Sequence, residues 1–562
     1  MKRLTLPGGP LASRSRTAPA PRQRLGKKAA AAAVGFVLVL GTGGAAGAES
    51  PTAGNELSKK IDKILSDERL AGAGTSVVVS DAADGDVLYE RHSGKRMMPA
   101  SNTKLLTAAA ALGVLGPGYR YRTDVLAHGD RSGGRLDGDL YLRGTGDPTL
   151  LAEDYDALAA DVAASGIKEV TGRLVADDTR FDSQRLGRSW AADDESAYYS
   201  SQISALSVAP DTDYDTGSVR LEVAPGSAPG KKPKVKMVPG NDYVDVEVTA
   251  ETVAEDGDST LSVDREHGGN TLTVSGGIPA GADPEESWTS VWEPTGYAAS
   301  VFAGALKDHG VRVAGKTETG KATPDGARRV ARHKSMPVSE LNVPFLKLSN
   351  NNHAEVLTKT MGYEAGGEGT WEEGLKAVQG FLKKEGVDTG TLRQVDGSGL
   401  SRMNNVPAAE FGALLRAVRD KPWFGKFHDA LPVACAPGRM KGGTLRTRMC
   451  GTPAELNAHA KTGSLTGASG LSGYVDDAGG RRLVFSIVLN NYLAESVKDI
   501  EDEIVVALAE SGDGASGKAA DGKRDGTSQK PKSAATQPSG RDAADPDGSG
   551  GLECSWRKPV RC

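Results

Sequence analysis

Ser101 opens the run Ser101-Asn102-Thr103-Lys104, directly after Pro99-Ala100 and ahead of Leu105-Leu106-Thr107-Ala108-Ala109-Ala110-Ala111-Leu112. That leucine- and alanine-rich stretch predicts a helix. Residues three apart share one helix face, so Lys104 rises beside Ser101. A serine hydroxyl is a weak nucleophile until a base sits next to it, and a neutral lysine can be that base. A helix start also favours developing negative charge. The chemistry these types and spacing suit is acyl transfer by a Ser–Lys pair. Spacing alone is weak evidence, because Ser555-Trp556-Arg557-Lys558 matches it too, in a stretch with no helical pattern.

Three further clusters join it. In Lys347-Leu348-Ser349-Asn350-Asn351-Asn352-His353-Ala354-Glu355, Ser349 and Asn351 can project together from a short turn between helices. Ordinary N-capping by Ser349 is the plainer alternative. Asp396-Gly397-Ser398-Gly399-Leu400-Ser401-Arg402 is polar and glycine-rich, as a turn would also be. Ala460-Lys461-Thr462-Gly463-Ser464-Leu465-Thr466-Gly467 reads as a hairpin strand with a lysine and then a glycine, which lets a ligand approach the backbone. A free strand edge there can pair with an extended peptide. Lys461 would meet a carboxylate, or simply guard an exposed edge.

The elements that must position these groups follow from periodicity. Residues 55–70 predict an amphipathic helix, and 75–80 with 85–89 a pair of strands. Between about 119 and 330 short apolar stretches alternate with Gly, Asp and Pro clusters, which predicts an all-β, turn-rich segment. Helical spacing returns at 294–309, 340–363, 371–385, 407–419 and 497–508, with a hairpin over 468–475 and 483–489. Gly310-Val311-Arg312-Val313-Ala314-Gly315-Lys316-Thr317 matches a phosphate-loop pattern, but no strand precedes it and no helix follows.

The chain has 562 residues and a formal net charge of -5, which leaves no nucleic-acid footprint. Arg22, Arg24, Lys27 and Lys28 precede an apolar run over 29–40 and then Ala46-Gly47-Ala48, the pattern of a secretory leader. An uncleaved N-terminal anchor is the alternative. No later stretch predicts a membrane span. Export makes disulfides expected of Cys435, Cys450, Cys554 and Cys562. Three connectivities are open, and proximity favours 435 with 450 and 554 with 562. No histidine spacing suits a metal, and no cofactor is expected. From 511 the chain is Gly, Ala, Ser, Asp and Lys, and predicts disorder.

Taken jointly, Ser-x-x-Lys, Ser-x-Asn and Lys-Thr-Gly in this order resemble the motifs of penicillin-binding proteins and serine β-lactamases. The finer resemblance, over roughly 55–510, is to the D-alanyl-D-alanine carboxypeptidases of peptidase family S13. These carry a large insertion between the first two motifs, and Ser349 follows Ser101 by 248 positions. Runs such as Gly144-Thr145-Gly146-Asp147-Pro148-Thr149-Leu150 add to it. The resemblance implies an α+β transpeptidase-like fold with an antiparallel sheet and helices. Its parts would be a leader (1–48), a catalytic domain in two pieces (49–120 and 336–510), a β-rich insertion (121–335) and a tail (511–562).

It also implies roles. Ser101 would be the acylated nucleophile, Lys104 its base and Ser349 a proton relay. Asn351 would bond the substrate amide, and Lys461 and Thr462 would read its terminal carboxylate. The N–H groups of Ser101 and Ser464, beside Gly463, would hold the oxyanion. Burial and the charge of Lys461 would both favour a neutral Lys104. Trp190, Asp193 and Arg402 resemble a pocket for the penultimate side chain. The expected partners are peptidoglycan stem peptides ending in D-Ala-D-Ala and β-lactams, met outside the cytoplasm at the cell wall or membrane, with endopeptidase action as an additional activity. A serine β-lactamase is the enzymatic rival, and a non-catalytic wall-binding protein the rival of another class.

Overall fold

The computed structural model describes residues 53–512. The expected leader, the tail and the Cys554–Cys562 pair lie outside the described residues. A five-stranded antiparallel sheet forms the frame. Its strands are β1 (Gly74–Asp81), β2 (Val87–Arg91), β3 (His459–Leu465), β4 (Ala468–Asp476) and β5 (Arg482–Asn490), in the order β3-β4-β5-β1-β2. β1 is buried along its whole length and β5 from its second residue on, because both faces of the sheet are covered, and β5 accordingly reads as a nearly unbroken apolar run. Alternation still sorts the side chains. Val77 and Val79 join the core that holds Leu57, Ile61, Ile504 and Leu508, while Val78 and Val488 pack with Met97 and Ala408 on the other face.

The helices are α1 (Ala53–Ile64), α2 (Thr103–Val114), α3 (Ala152–Ala164), α4 (Pro294–Asp308), α5 (Val338–Lys347), α6 (Asn351–Gly366), α7 (Trp371–Lys384), α8 (Ala408–Ala417), α9 (Phe424–Asp429) and α10 (Lys498–Ala509). α1 and α10 cover one face of the sheet; α2 and α5–α9 build the core on the other. α6 is enclosed all round, with every residue from Asn352 to Gly362 buried. The helical spacing over 340–363 is broken in the structure. α5 ends at Lys347, Ser349 takes a left-handed φ of 59°, and the Asn350 side chain caps α6 by accepting from the His353 N–H at 3.1 Å.

Residues 122–334 build their own sheets and their own apolar core. The first and last strands of this segment pair antiparallel, with Arg122 opposite Lys334. The chain therefore leaves the frame and returns to it at neighbouring points. The all-β expectation for this segment needs correction at 152–164, which is α3. Tyr155, Leu158, Ala159 and Val162 recur at helical spacing and are buried in this segment's core.

Candidate active site

Ser101 lies in a 3-10 turn, Ala100–Asn102, that feeds α2, and Lys104 is the second residue of the helix proper. The turn is tight: Ala100 has a φ of 48°, and its carbonyl accepts from Thr103 Oγ1 at 2.9 Å. Asn102 anchors the turn to the sheet through Ser472 Oγ at 3.0 Å. Lys104 is fully buried. Its Nζ donates to Asn351 Oδ1 at 2.6 Å and to the Ser398 carbonyl at 2.9 Å, and lies 2.9 Å from Ser101 Oγ.

The second pair comes from the helix break and the sheet edge. Capping by Asn350 leaves Ser349 out of that role, and its hydroxyl instead meets Lys461 Nζ at 2.9 Å. Lys461, on edge strand β3, is also fully buried and donates to its neighbour's carbonyl, Thr462 O, at 2.8 Å. Thr462 Oγ1 pairs with Thr444 Oγ1 at 2.8 Å. Asn351 opens α6, and its amide N–H donates to the Tyr199 carbonyl at 2.8 Å.

Gly463 explains how β3 reaches the serine. A Cβ there would stand 2.7 Å from the Pro99 carbonyl oxygen and 3.1 Å from the Ser101 nitrogen. Strand and serine turn thus pack backbone to backbone. The hydroxyl of Ser464, one residue on, accepts from Lys498 at the start of α10.

Beside these groups lies a cleft of about 260 Å3, with Lys104, Lys461 and Thr462 buried behind its surface. Ser101, Ser349, Asn351, Ser464 and Arg402 line the frame side. The opposite wall is acidic and comes from the 122–334 segment: Asp193, Asp194, Asp213 and Asp215. Asp213 is held by Arg439 at 2.7 Å, Asp215 by Asn350 Nδ2 at 3.1 Å and Asp194 by Tyr199 Oη at 2.7 Å, whereas Asp193 is exposed. Arg402 donates to the Thr466 carbonyl at 2.9 Å.

Trp190 does not join the cleft. Its Nε1–H donates to Asp396 Oδ2 at 3.1 Å, and its ring stands edge-on to Trp371 with centroids 6.3 Å apart. Its neighbours Ser189 and Ala191 line the cleft in its place. Sequence reasoning missed the Ser398 carbonyl, Lys498, Thr444 and Arg439. Only the first left a signal, since Ser398 lies in the glycine-rich run 396–402. Among the described residues no cluster of three or more His, Cys, Asp or Glu side chains could hold a metal ion. No helix among them is long and apolar enough to cross a membrane. The expected disulfide between Cys435 and Cys450 is present and closes the loop that carries Arg439 and Thr444.

Comparison with known proteins matches residues 57–511 to the family described as "D-Ala-D-Ala carboxypeptidase 3 (S13) family". A D-alanyl-D-alanine carboxypeptidase of Actinomadura sp. is 44% identical over 503 residues, spanning 89% of this chain and 90% of that one. The D-alanyl-D-alanine carboxypeptidase DacB of Haemophilus influenzae is 26% identical over 438 residues, 77% of this chain and 88% of its own. The crystal structure of penicillin binding protein 4 (dacB) from the same organism superposes with a TM-score of 0.69 at 25% identity, covering 80% of this chain and 98% of that one. The same Haemophilus protein has also been solved in complex with a β-lactam, with a TM-score of 0.64 at 24% identity, 79% of this chain and 98% of that one. The fold is accordingly that of the penicillin-binding proteins and serine β-lactamases.

Proposed function

The chain belongs to the S13 family of D-Ala-D-Ala carboxypeptidases and is itself such an enzyme; from that premise we propose that Ser101 is its nucleophile and Lys104 its base. Ser101 Oγ attacks the carbonyl between the two terminal D-alanines while Lys104 Nζ takes the hydroxyl proton. The backbone N–H groups of Ser101 and Ser464 donate to the oxyanion, a placement supported by the close approach of β3 at Gly463. Collapse of the tetrahedral intermediate breaks the C–N bond. The proton taken by Lys104 passes through Ser349, which Lys461 holds, to the leaving amine. Water then hydrolyses the ester on Ser101 and regenerates the hydroxyl.

The observation that carries this reading is the position of Lys104 Nζ, in hydrogen-bond reach of both Ser101 Oγ and Asn351 Oδ1. Asn351 bonds the substrate amide, and Lys461 with Thr462 attracts the terminal carboxylate. Asp193, exposed on the acidic wall, meets a cationic group at the end of the side chain that precedes the two D-alanines, and Arg402 borders the same cleft. The substrates are peptidoglycan stem peptides outside the cytoplasm, and a β-lactam acylates Ser101 as a mimic of the D-Ala-D-Ala carbonyl. D-Alanine release from a defined muropeptide, with product masses, tests the substrate and separates carboxypeptidase from endopeptidase cleavage. Lys104→Ala tests the base: acylation should fall by at least about a hundredfold, the lower end of the range for a positioned proton acceptor.

A further inference from the structure

Buried polar groups that this mechanism leaves unused converge on the turn Asp396-Gly397-Ser398-Gly399. Glu355 lies on α6 one turn beyond Asn351, fully buried. Its Oε2 accepts from Trp371 Nε1 at 2.8 Å and from the Gly397 N–H at 2.7 Å; its Oε1 accepts from the Ser398 N–H at 2.8 Å. From α2, Thr107 Oγ1 donates to the Gly397 carbonyl at 2.7 Å. The turn is thus clamped between two helices, and its Ser398 carbonyl accepts from Lys104. Asp396, also fully buried, collects the N–H groups of Gly399 and Ser401 at 2.8 and 2.7 Å. Gly399 touches the serine turn so closely that a Cβ would stand 1.8 Å from the Ala100 carbonyl oxygen. Burial raises both carboxyls above their ordinary range, and for Glu355 the nearby Asp396 adds to this. A buried carboxyl pair is a costly way to fill space.

The chemistry of a neutral amine gives the pair a use. Such an amine has two N–H donors and one lone pair. When the donors go to Asn351 Oδ1 and the Ser398 carbonyl, the lone pair is left for the proton on Ser101 Oγ. We propose that Glu355 is a positioning residue: by holding the Gly397 and Ser398 N–H groups it keeps the Ser398 carbonyl on Lys104 and so aims the base at Ser101. This rests on the reading of Lys104 as the base.

Glu355→Gln tests it, because an amide offers one acceptor oxygen where three N–H donors converge on two. The expected result is a fall in kcat of about 10- to 100-fold, the effect of misplacing a catalytic group by an ångström or less, with KM unchanged. The penicillin acylation rate per folded molecule should fall in parallel. Thr107→Val removes the opposite clamp with little change of volume, and should lower the same rate without changing KM if Glu355→Gln does not fold. Wild-type acylation per folded molecule in whichever variants fold would overturn the proposal, even with a lowered melting temperature. Normal acylation by Lys104→Ala would instead overturn the base assignment beneath it.

Discussion

Lys104 and Lys461 are equally buried, yet each addresses a different serine, and the division of labour follows from their acceptors. Lys104 is turned to Ser101, Asn351 and the Ser398 carbonyl; Lys461 is turned to Ser349 and its own strand. Asp193, which lines the cleft and is exposed, is the residue proposed to read a substrate amine. Asp193→Asn should raise KM about fivefold for a stem peptide with a free amine on its third residue, the worth of an ion pair of roughly 1 kcal/mol. A peptide acetylated on that amine should bind both forms alike, and equal effects on the two peptides would remove Asp193 from the pocket. Trp190, three residues away, illustrates where sequence reading stops. An indole beside an acidic pair suits a pocket or a core equally. The choice is made by Asp396, which is distant in sequence and whose arrival beneath the indole only the fold reveals.

At the scale of elements, the site depends on the backbone contact between β3 and the serine turn. Gly463→Ala would push β3 away from the serine turn, because the added carbon meets the Pro99 carbonyl oxygen and no flexible side chain. Acylation should fall by roughly a hundredfold, as expected for oxyanion donors moved from their place. A wild-type rate would show that β3 does not supply one of those donors. The Cys435–Cys450 bridge spans a separation of 15 residues and should contribute about 3 kcal/mol in the chain-entropy model. Replacing both cysteines with serine should lower the urea midpoint accordingly, and an unchanged midpoint would mean that the loop is held by its other contacts. The helices flanking the site were legible from 3.6-residue spacing, and the hairpin of β4 and β5 from its apolar runs. The turn at 349–351 was legible from its polar run, but its place inside the helical spacing over 340–363 was not, since the left-handed φ of Ser349 leaves no trace in periodicity. α3 was readable from Tyr155, Leu158, Ala159 and Val162, but the turn-rich sequence around it hid the period.

Across the whole molecule, the groups proposed to carry the chemistry come from the frame and the acidic wall from the 122–334 segment, so the cleft exists only where the two meet. The order of the three motifs was legible because each is local. The carbonyls and carboxylates that aim them come from segments hundreds of residues apart. The fold also fixes how stability depends on pH. Burial holds His353 down to about 3 and His428, stacked on His459, down to about 4. In the unfolded chain both protonate near 6.5. Between that value and about 4 these histidines make the unfolded state bind more protons, and their contribution to stability is lost as pH falls through this window. The raised Glu355 carboxyl works in the opposite direction between about 7 and its unfolded value. His428→Gln should therefore raise the urea midpoint at pH 4.5 relative to that at pH 7, compared with the wild type; an unchanged difference would locate the sensitivity elsewhere. The most direct test of the central claim is mass analysis of the protein after exposure to penicillin, run on the wild type and on Ser101→Ala. The wild type should carry one adduct, on the peptide containing Ser101, and the variant should show neither an adduct nor D-alanine release. An adduct that persists in Ser101→Ala, or that maps to another residue, would contradict that claim.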